Sequence, residues 1–479
     1  MTLELWVVGI YMLACIAIGI LASRKVLVSR DDYWVAGRRI GTWVNAMAIM
    51  ATLASGGSII GVMGLAYKNG IPYALALFAG AVLGFPLASI LVAKPLRNFG
   101  KFTITDFLVF RYPHAIVRYL VPIVIVVSFT VYIIAQMKAA GITANVLLGI
   151  SYNEAVTWMT IVFILYVSIG GMLAVTWTDV VQGVLMLAVV LVTAAMMINR
   201  AGSPAEIMEQ ATLAAPMLGE VAHQPVASYL GSFVIWAAAI PVIPHIVMRV
   251  FTAKDAAGAR LSLNLAMVAY SVMILAAVLA IVPVGKMHFP DLQDADTIFL
   301  EVMKQEFPPL IRGLAVAAVM AAVMSTTDAL LLACSSALAH DLFGERLIKR
   351  FSPKVVSWIS AGFAWAIGLL AMYFAYSPPQ LITAFYSAAI GLLSAALFVP
   401  VIAGLWWKKA NLAGGVASLL VGSAVYLIVQ FTPGAPPFSA ILFALPASAL
   451  AMVIVSKIRP GRESEIMAAI SKLHQSENI

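Results

Sequence analysis

The chain has 479 residues and a net charge of +8, and 63% of its residues are hydrophobic while only 10% are charged. Soluble domains carry about 25% charged residues, so this composition excludes a soluble enzyme or a soluble binding module. It predicts an all-α integral membrane protein, whose helices each need about 20 apolar residues to cross a bilayer. The two cysteines, Cys15 and Cys334, lie in apolar segments and predict neither a disulfide framework nor a metal site.

Thirteen apolar segments along the chain have the length of membrane spans. In chain order they lie near residues 3–23, 42–67, 72–93, 120–147, 154–171, 175–199, 227–248, 261–285, 310–339, 355–376, 381–406, 412–431 and 440–457. The start of the first segment carries Glu4 and no basic residue, which predicts a span rather than a cleaved signal peptide.

The segments between the spans are short, which predicts that no soluble domain interrupts the bundle. The two longest, residues 200–226 and 286–309, are expected to form short surface helices. Another short helix is predicted over residues 103–112, capped by Thr103 or Thr105 and ended by Pro113. The polar tail beyond residue 460 is expected to be helical as well.

The 29 Lys and Arg residues divide unequally between the two ends of the predicted spans. Positively charged short loops remain in the cytoplasm, so the end with 23 of them is predicted to be cytoplasmic. The N-terminus then lies outside and the C-terminus inside a cell inner membrane, and the basic excess needs no nucleic-acid partner. The other end has six basic residues: Lys68, Lys138, Arg200, Lys286, Lys304 and Arg312.

Two spans contain residues that interrupt a helix. The second has paired glycines within residues 51–58 (ATLASGGS), and the seventh has two prolines within residues 240–245 (IPVIPH). Close helix packing explains a Gly-Gly pair and a simple kink explains a proline, but both interruptions also free backbone carbonyls near the bilayer centre.

The positions of the two breaks predict the domain organisation. They begin two blocks of five spans, residues 42–199 and 227–406, as expected of an inverted repeat with broken first helices. Residues 1–41 then add one helix and a loop before the repeats, and residues 200–226 connect them. Residues 407–479 add two helices and a short tail.

The ninth span places Ser325, Thr326 and Asp328 in an otherwise apolar run. Polar groups inside a membrane usually have a functional partner, and hydroxyl and carbonyl oxygens suit Na⁺. The alternative is that the hydroxyls bond to the preceding helical turn, which is common in membrane helices. For this triplet, the sequence favours an ion site.

Five motifs in this order resemble the sodium:solute symporter family, over about residues 5 to 457. They are residues 33–39 (YWVAGRR), 170–179 (GGMLAVTWTD), 244–246 (PHI) with Arg249, 324–326 (MST) and 407–411 (WKKAN). The resemblance implies a leucine-transporter-type fold and secondary active transport of a small solute coupled to Na⁺ in a lipid bilayer, with a monomer as the functional unit.

The resemblance also implies the ligands of the main sodium site. Matched residue by residue, these are the backbone carbonyls of Ala51, Ala54 and Ala322 and the hydroxyls of Ser325 and Thr326. Some members of the family hold a second Na⁺, for which Asp179, Thr326 and Asp328 would serve here. The hydroxyl pair of those members is replaced by Asp328-Ala329, and Asp179 has alternative roles as a helix N-cap or as the partner of a cytoplasmic Arg.

Twelve positions are expected to face the substrate. They are Ser55, Gly56, Gly57, Ser58, Phe78, Ser128, Tyr132, Gln136, Trp236, Ile240, Tyr386 and Ser387. Trp236 matches a substrate-facing position of the proline carriers, and residues 132–137 (YIIAQM) are similar to the acetate carriers. Lys138 follows directly and could attract an anion, but it is predicted to snorkel to the surface.

The expected substrate is a small monocarboxylate. The predicted lining has few of the partners that a sugar requires, and the broken second span has no acidic residue to repel an anion. Helix amides freed by the break bind carboxylates. Pantothenate or an amino acid such as proline is the alternative, and H⁺ in place of Na⁺ stays open.

Two other functional classes compete with a transporter. A transporter-like membrane sensor is one, although no kinase domain follows the last span. An intramembrane enzyme is the other, but the sequence shows no catalytic constellation: His114, His245 and His340 have no paired nucleophile and no metal-ligand spacing. The protein is therefore expected not to be an enzyme, and the absence of a P-loop argues against an ATP-driven pump.

Overall fold

The computed structural model describes residues 2–26, 34–221, 224–344, 350–378, 381–459 and 464–475. Tyr33, the first residue of the first motif, lies outside these ranges. The same is true of the basic residues Arg30, Arg346 and Lys349. The helices are α1 Leu3–Val26, α2 Thr42–Leu53, α3 Gly57–Asn69, α4 Ile71–Phe99, α5 Ile104–Arg111, α6 Ala115–Leu148, α7 Tyr152–Ala201, α8 Pro204–Ala214, α9 Val226–Ala239, α10 Pro244–Thr252, α11 Ala256–His288, α12 Ile298–Glu306, α13 Pro309–Leu342, α14 Pro353–Ala375, α15 Ile382–Trp406, α16 Leu412–Gln430, α17 Ala440–Ile458 and α18 Ser464–Leu473.

Helices occupy all thirteen predicted spans. Among the residues that the structure describes, ten of these helices are long and apolar enough to cross a membrane, and the pair α2 and α3 makes an eleventh span if it is counted as one. The remaining two spans are the shorter apolar helices Leu3–Gly19 and Tyr152–Leu165. The fifth and sixth spans form one element, α7, which is interrupted at Gly171, where the φ of 55° lies in the left-handed region that glycine tolerates.

Both predicted breaks are present. The axes of α2 and α3 differ by 57°, and a Cβ on Gly57 would lie only 2.4 Å from a ring carbon of Tyr386. The glycine is therefore required by close packing at the break. The seventh span divides into α9 and α10, because Pro241 and Pro244 lack the amide hydrogens that would continue α9.

The centre of the bundle is α13, which is buried along almost its whole length. It packs against α1, α6, α7 and α14. Small residues let these helices approach one another closely. The same helix carries Ser325, Thr326 and Asp328, so the polar triplet lies in the most enclosed part of the protein.

A second close contact joins α4 to α9. A Cβ on Gly80 would lie 2.1 Å from the carbonyl oxygen of Phe233, and one on Gly84 would lie 2.6 Å from Ile240 Cγ1. The two glycines are four residues apart and therefore lie on one face of α4. They bring the two backbones into direct contact over a helical turn.

The short helices between the spans are confirmed. Thr103 caps α5, and its hydroxyl accepts from the Asp106 N–H while the Asp106 carboxylate accepts from the Thr103 N–H. Ser203 and Glu206 form the same reciprocal cap on α8. The α5 cap is a short-range signal, and the sequence therefore located α5 to within a residue or two, whereas the Ser203 cap was not predicted.

The loops gather at two ends of the bundle. Arg97 donates to the Ala253 carbonyl at 2.6 Å, while Lys286 lies over the Tyr67 ring with its Nζ 4.0 Å from the centroid. We call the end that contains Arg97 and Ala253 the basic end, since Arg38, Lys94, Lys101, Lys254 and Arg260 also lie there. We call the end that contains Lys286 and Tyr67 the opposite end.

Candidate sodium and substrate site

The hydroxyls of α13 face the carbonyls at the end of α2. Ser325 Oγ donates to the Ala51 carbonyl at 2.9 Å and lies 3.2 Å from the Ala322 carbonyl. Thr326 Oγ1 donates to the Thr52 carbonyl at 3.0 Å. All of these residues are fully buried. The bond from Ser325 to Ala322 is the back-bond of the alternative interpretation, but the other two bonds join separate helices.

Ala54 lies at the break itself. In the part of the chain that the structure describes, its carbonyl accepts no hydrogen bond, so it is available to a ligand. The structure thus brings four of the five predicted sodium ligands, Ala51, Ala322, Ser325 and Thr326, to the contact between α2 and α13, and it places the fifth beside them. Thr52, whose carbonyl faces Thr326, is a contact that the sequence analysis did not include.

Asp179 forms a buried ion pair with Arg249. Both side chains are fully buried, and the carboxylate also accepts from the Thr52 hydroxyl at 3.2 Å. Arg249 donates in addition to the Thr176 hydroxyl at 2.7 Å. Since Asp179 lies well inside α7, it is not an N-cap. Its position is that of an arginine partner, and it joins α7, α2 and α10 beside the sodium ligands.

Asp328 has a different environment from Asp179. It is fully buried, and among the described residues neither of its carboxyl oxygens has a hydrogen-bond partner. Asp179 and Arg249 are close enough to influence it electrostatically. An ionised carboxylate in such a site is costly unless it is paired, so Asp328 needs either a proton or a cation.

The predicted substrate residues meet at the break between α2 and α3. The Gly56 N–H donates to Gln136 Oε1 at 3.0 Å, and the Tyr132 hydroxyl donates to Ser55 Oγ at 3.2 Å. Ser58 Oγ bonds the Leu53 carbonyl. Side chains of α6 therefore hold the broken segment in place.

Aromatic rings enclose this region. Tyr132 stacks on Tyr386 with centroids 5.0 Å apart, and Trp236 meets the edge of Tyr386 at 5.7 Å. Phe78 packs against Tyr270 at 5.8 Å, and Tyr270 was not predicted. These rings come from five helices, so the candidate cavity lies where the two broken spans face α6 and α15.

Several buried polar atoms of this region have no protein partner among the residues described. Gln136 Nε2 and Trp236 Nε1 are hydrogen-bond donors, and Ser387 Oγ can act as donor or acceptor. Buried polar groups in folded proteins are nearly always hydrogen-bonded. These atoms therefore indicate where a bound solute would find its partners.

The sequence of this chain matches a known family of proteins over most of its length. The model of the sodium:solute symporter family matches residues 33–422. The chain belongs to this family. It is therefore a multi-pass membrane protein that transports a solute together with Na⁺, and the family consists of transporters.

Curated relatives of this symporter include two proline carriers. It is 28% identical to the osmoregulated proline transporter OpuE of Bacillus subtilis, over 95% of each chain. It is 29% identical to the sodium/proline symporter of Escherichia coli, over 88% of this chain and 86% of that one. The sodium/pantothenate symporter of Haemophilus influenzae is 27% identical, over 83% and 84% of the two chains.

Solved structures confirm the fold. A Na⁺-coupled sialic acid symporter in a substrate-bound outward-open state superposes with a TM-score of 0.81, at 19% identity, over 95% of this chain and 98% of that one. MhsT in complex with L-phenylalanine superposes with a TM-score of 0.58, at 13% identity, over 89% and 98%. The predicted leucine-transporter-type fold of this symporter is thus correct.

Of the predicted substrate positions, Ile240 packs against α4 beside the Trp236 carbonyl, and Ser128 faces a different space. The Ile240 side chain packs on Gly84 of α4. Ser128 lines a separate apolar groove of about 600 Å³ between α6, α15 and α16. Conversely, His245 was not predicted to face the substrate, yet it is buried with its ring 6.4 Å from that of Tyr132. Its position directly after Pro244, at a break, was the available signal.

The prediction that Lys138 snorkels to the surface is wrong. Its side chain is only 3% exposed, and Nζ lies 2.8 Å from Asp296 and 3.3 Å from Asp294. Asp296 also accepts from the Ile382 N–H at 2.9 Å, and a Cβ on Gly64 would lie 2.5 Å from its Oδ1. The buried Asp296 carboxylate therefore links α6 and α15 to the loop before α12, and this contact packs against α3 at Gly64.

This contact at the opposite end is expected to depend on pH. Burial raises the pKa of Asp296 to about 6, although Lys138 opposes the shift. Above pH 6 the carboxylate is ionised and pairs with Lys138. As the pH falls through 6 it becomes neutral and this buried pair is lost, so that Lys138 keeps the contact with the partly exposed Asp294 at 3.3 Å. Spin labels at Asn145→Cys on α6 and Lys304→Cys on α12 should then move apart below about pH 6, as measured by electron spin resonance distances.

Two variants of this spin-labelled protein act as controls. Asp296→Asn should show the longer distance at every pH, because it cannot form the ion pair. Asp291→Asn, a change of an exposed acid in the same loop, should keep the transition near pH 6. A distance that does not change with pH in the parent protein would show that the Lys138–Asp296 pair does not hold this loop in place.

Proposed function

We propose that this symporter carries a small monocarboxylate together with Na⁺ by alternating access. The proposal is supported mainly by two buried side-chain nitrogens of the candidate site, Gln136 Nε2 and Trp236 Nε1. Both are N–H donors, and neither has a partner in the described structure. Two unpaired donors in a buried region that is otherwise apolar and aromatic suit the carboxylate of a small anion.

The charges around the cavity support an anion over an amino acid. The ammonium group of an amino acid is best held by a carboxylate, but Asp179 is already paired with Arg249, and the other buried carboxylate of this region, Asp328, is proposed to bind a second cation. The first turn of α3 begins at the break, and a helix N-terminus favours negative charge. A solute with one carboxylate and a short apolar body matches these groups.

Proline or pantothenate is the second candidate. The curated relatives named above carry one or the other, and both solutes have a carboxylate that the same donors would bind. For proline, the ring nitrogen would need an acceptor such as Ser387 Oγ or His245, which have no partner among the described residues.

The sodium ligands explain how the ion can be coupled to the solute. We propose that Na⁺ is bound by the Ala51, Ala54 and Ala322 carbonyls and by the Ser325 and Thr326 hydroxyls. These groups join the end of α2 to α13, and the next residues of the chain, Ser55 to Ser58, form the solute site. Na⁺ at the joint fixes the backbone that the solute binds, and by linkage the solute strengthens Na⁺ binding by the same factor.

A second cation is proposed beside the first. Asp328 and the free Oδ1 of Asp179 are both buried and lack hydrogen-bond partners in the described region. One Na⁺ with one monoanion carries no net charge, so the membrane potential would drive uptake only if a second cation moved too. Each elementary charge that crosses then gains about 2.3 kcal/mol per 100 mV.

The proposed orientation places the basic end in the cytoplasm. The N-terminus then lies outside and the C-terminus inside the inner membrane, following the charge asymmetry of short loops. In this arrangement the Lys138–Asp296 contact lies on the outer side and covers the solute path from there. The functional unit is proposed to be a single chain, since all of the proposed ligands come from one chain.

Counterflow in proteoliposomes tests the substrate. Uptake of a labelled solute is measured with and without Na⁺. In the presence of Na⁺ we expect unlabelled pyruvate, acetate and propionate to compete with this uptake. Their amides should not compete, because an amide does not replace the carboxylate as an acceptor for two donors. Trp236→Phe, which keeps the ring and removes the N–H, should weaken carboxylate binding by roughly tenfold, a typical cost of one hydrogen bond to a charged group.

Competition by proline alone, or by pantothenate alone, would assign the site to the second candidate. Ser128→Ala is the matched control, since its hydroxyl lines the separate groove. It should leave competition unchanged.

A further inference from the structure

A cluster of three metal-ligating side chains lies at the basic end, away from the sodium and substrate residues. His340, in the last turn of α13, has its Nε2 3.2 Å from both carboxylate oxygens of Asp106 in α5 and 4.0 Å from Asp341 Oδ1. The sequence showed no metal-ligand spacing because Asp106 and His340 are 234 positions apart.

The spacing of the three groups fits a small divalent cation. One ligand atom from each side chain lies within 4.8 Å of the other two. Ligands at 2.0–2.2 Å from a tetrahedral Zn²⁺ are about 3.4 Å apart. A shift of about 1 Å or less in each side chain would therefore bring one imidazole and two carboxylates to binding distance.

The surroundings orient these ligands. Thr103 Oγ1 donates to Asp341 Oδ1 at 2.9 Å, while the N–H groups of Phe102 and Thr103 hold Asp106. Second-shell bonds of this kind fix metal ligands and tune their affinity. The end of α13 is also widened into a π-turn over Ala337–Leu342, a feature common at functional sites.

A fourth polar group lies at the cluster. The Thr105 side chain is 2% exposed and lies against the Asp341 carboxyl, and its hydroxyl has no other hydrogen-bond partner among the described residues. The Asp106 cap of α5 needs neither His340 nor Asp341, because its bonds to Phe102 and Thr103 are complete without them. The convergence of the other groups is therefore not explained by capping.

We propose that Asp106, His340 and Asp341 form a binding site for a divalent transition metal ion of the Zn²⁺ type. Such an ion would join α5 to the end of α13, the helix that also carries Ser325 and Thr326. Held together in this way, the two elements could not separate at the basic end. Bound metal would therefore slow transport by restricting opening at this end, without occupying the sodium or solute positions.

Metal binding can be measured without transport, so its failure is distinguishable from a failure of the proposed function. Tag-free protein in detergent is titrated with ZnCl₂ by calorimetry, and with Co²⁺ by visible absorption, which reports four-coordinate geometry. We expect one Zn²⁺ per chain and tetrahedral Co²⁺ bands. His340→Gln, which can still donate to Asp106, should weaken binding at least tenfold, as should Asp341→Asn.

The matched control is His288→Gln, which removes an imidazole paired with Glu306 at 3.1 Å at the opposite end. It should bind one Zn²⁺ as the parent protein does. Zn²⁺ added on the basic-end side of proteoliposomes should slow uptake by the parent and by His288→Gln, but not by His340→Gln. Absence of saturable Zn²⁺ binding and of Co²⁺ bands in the parent protein, or equal Zn²⁺ affinity in the parent and His340→Gln, would overturn the site.

Discussion

Ser325→Ala and Thr326→Val are each expected to raise the Na⁺ concentration for half-maximal uptake by roughly ten- to a hundredfold. Each change removes one neutral oxygen from the fully buried set of proposed Na⁺ ligands. Loss of one buried polar partner costs about 1–3 kcal/mol, which corresponds to that range of affinity. Na⁺-dependent solute binding to the purified proteins, measured by calorimetry, gives the value directly.

Ser335→Ala is the matched control for these variants. Ser335 lies in the same helix, is equally buried, and its hydroxyl bonds only to the Leu332 carbonyl of the preceding turn, at 3.0 Å. Na⁺ dependence should be unchanged in this variant, and solute affinity at saturating Na⁺ should recover in the other two. If Ser325→Ala and Thr326→Val also keep the parent Na⁺ dependence, their hydroxyls serve only helix packing and the sodium site is wrong.

Asp179→Leu is expected to destabilise the protein by about 3–5 kcal/mol. It leaves the Arg249 guanidinium fully buried without its carboxylate, and removal of one partner from a buried ion pair has a cost of this size. The double variant Asp179→Leu with Arg249→Met should recover most of the loss, because replacement of a whole buried pair by apolar residues is often neutral. Unfolding in detergent, followed by circular dichroism, measures both.

The comparison of single and double variants separates a structural ion pair from a cation ligand. A double variant as unstable as Asp179→Leu would show that Asp179 contributes through other contacts, such as its bond from Thr52.

The stability loss also means that Asp179 variants are unsuitable for testing the second cation. Asp328→Asn is the better choice, since it leaves the pair intact, and it should lower the Hill coefficient for Na⁺ towards one.

Local sequence patterns predicted the architecture well, because the features involved are short-range. Apolar length located the spans, the glycine pair and the proline pair located the breaks, and the Thr103 cap located α5. The hydroxyl pair of α13 could be identified for the same reason, since polar side chains are rare in so apolar a helix.

Pairing between distant residues was beyond the sequence. Lys138 finds Asp296 across 158 positions, and Arg249 finds Asp179 across 70. A lysine in an apolar helix has the same local pattern whether it reaches water or a buried carboxylate. For the same reason Tyr270, which lines the candidate cavity from α11, could not be distinguished from the many aromatic residues that only fill the core.

The glycine contact between α4 and α9 determines which wall of the cavity can move. With Gly80 and Gly84 in backbone contact with α9, the two helices have no side-chain layer over which to slide. We therefore expect Phe78 on α4 and Trp236 on α9 to move together as one rigid unit. A displacement of this unit relative to α6 would then widen or narrow the space between these two rings and the Tyr132 and Gln136 side chains of α6.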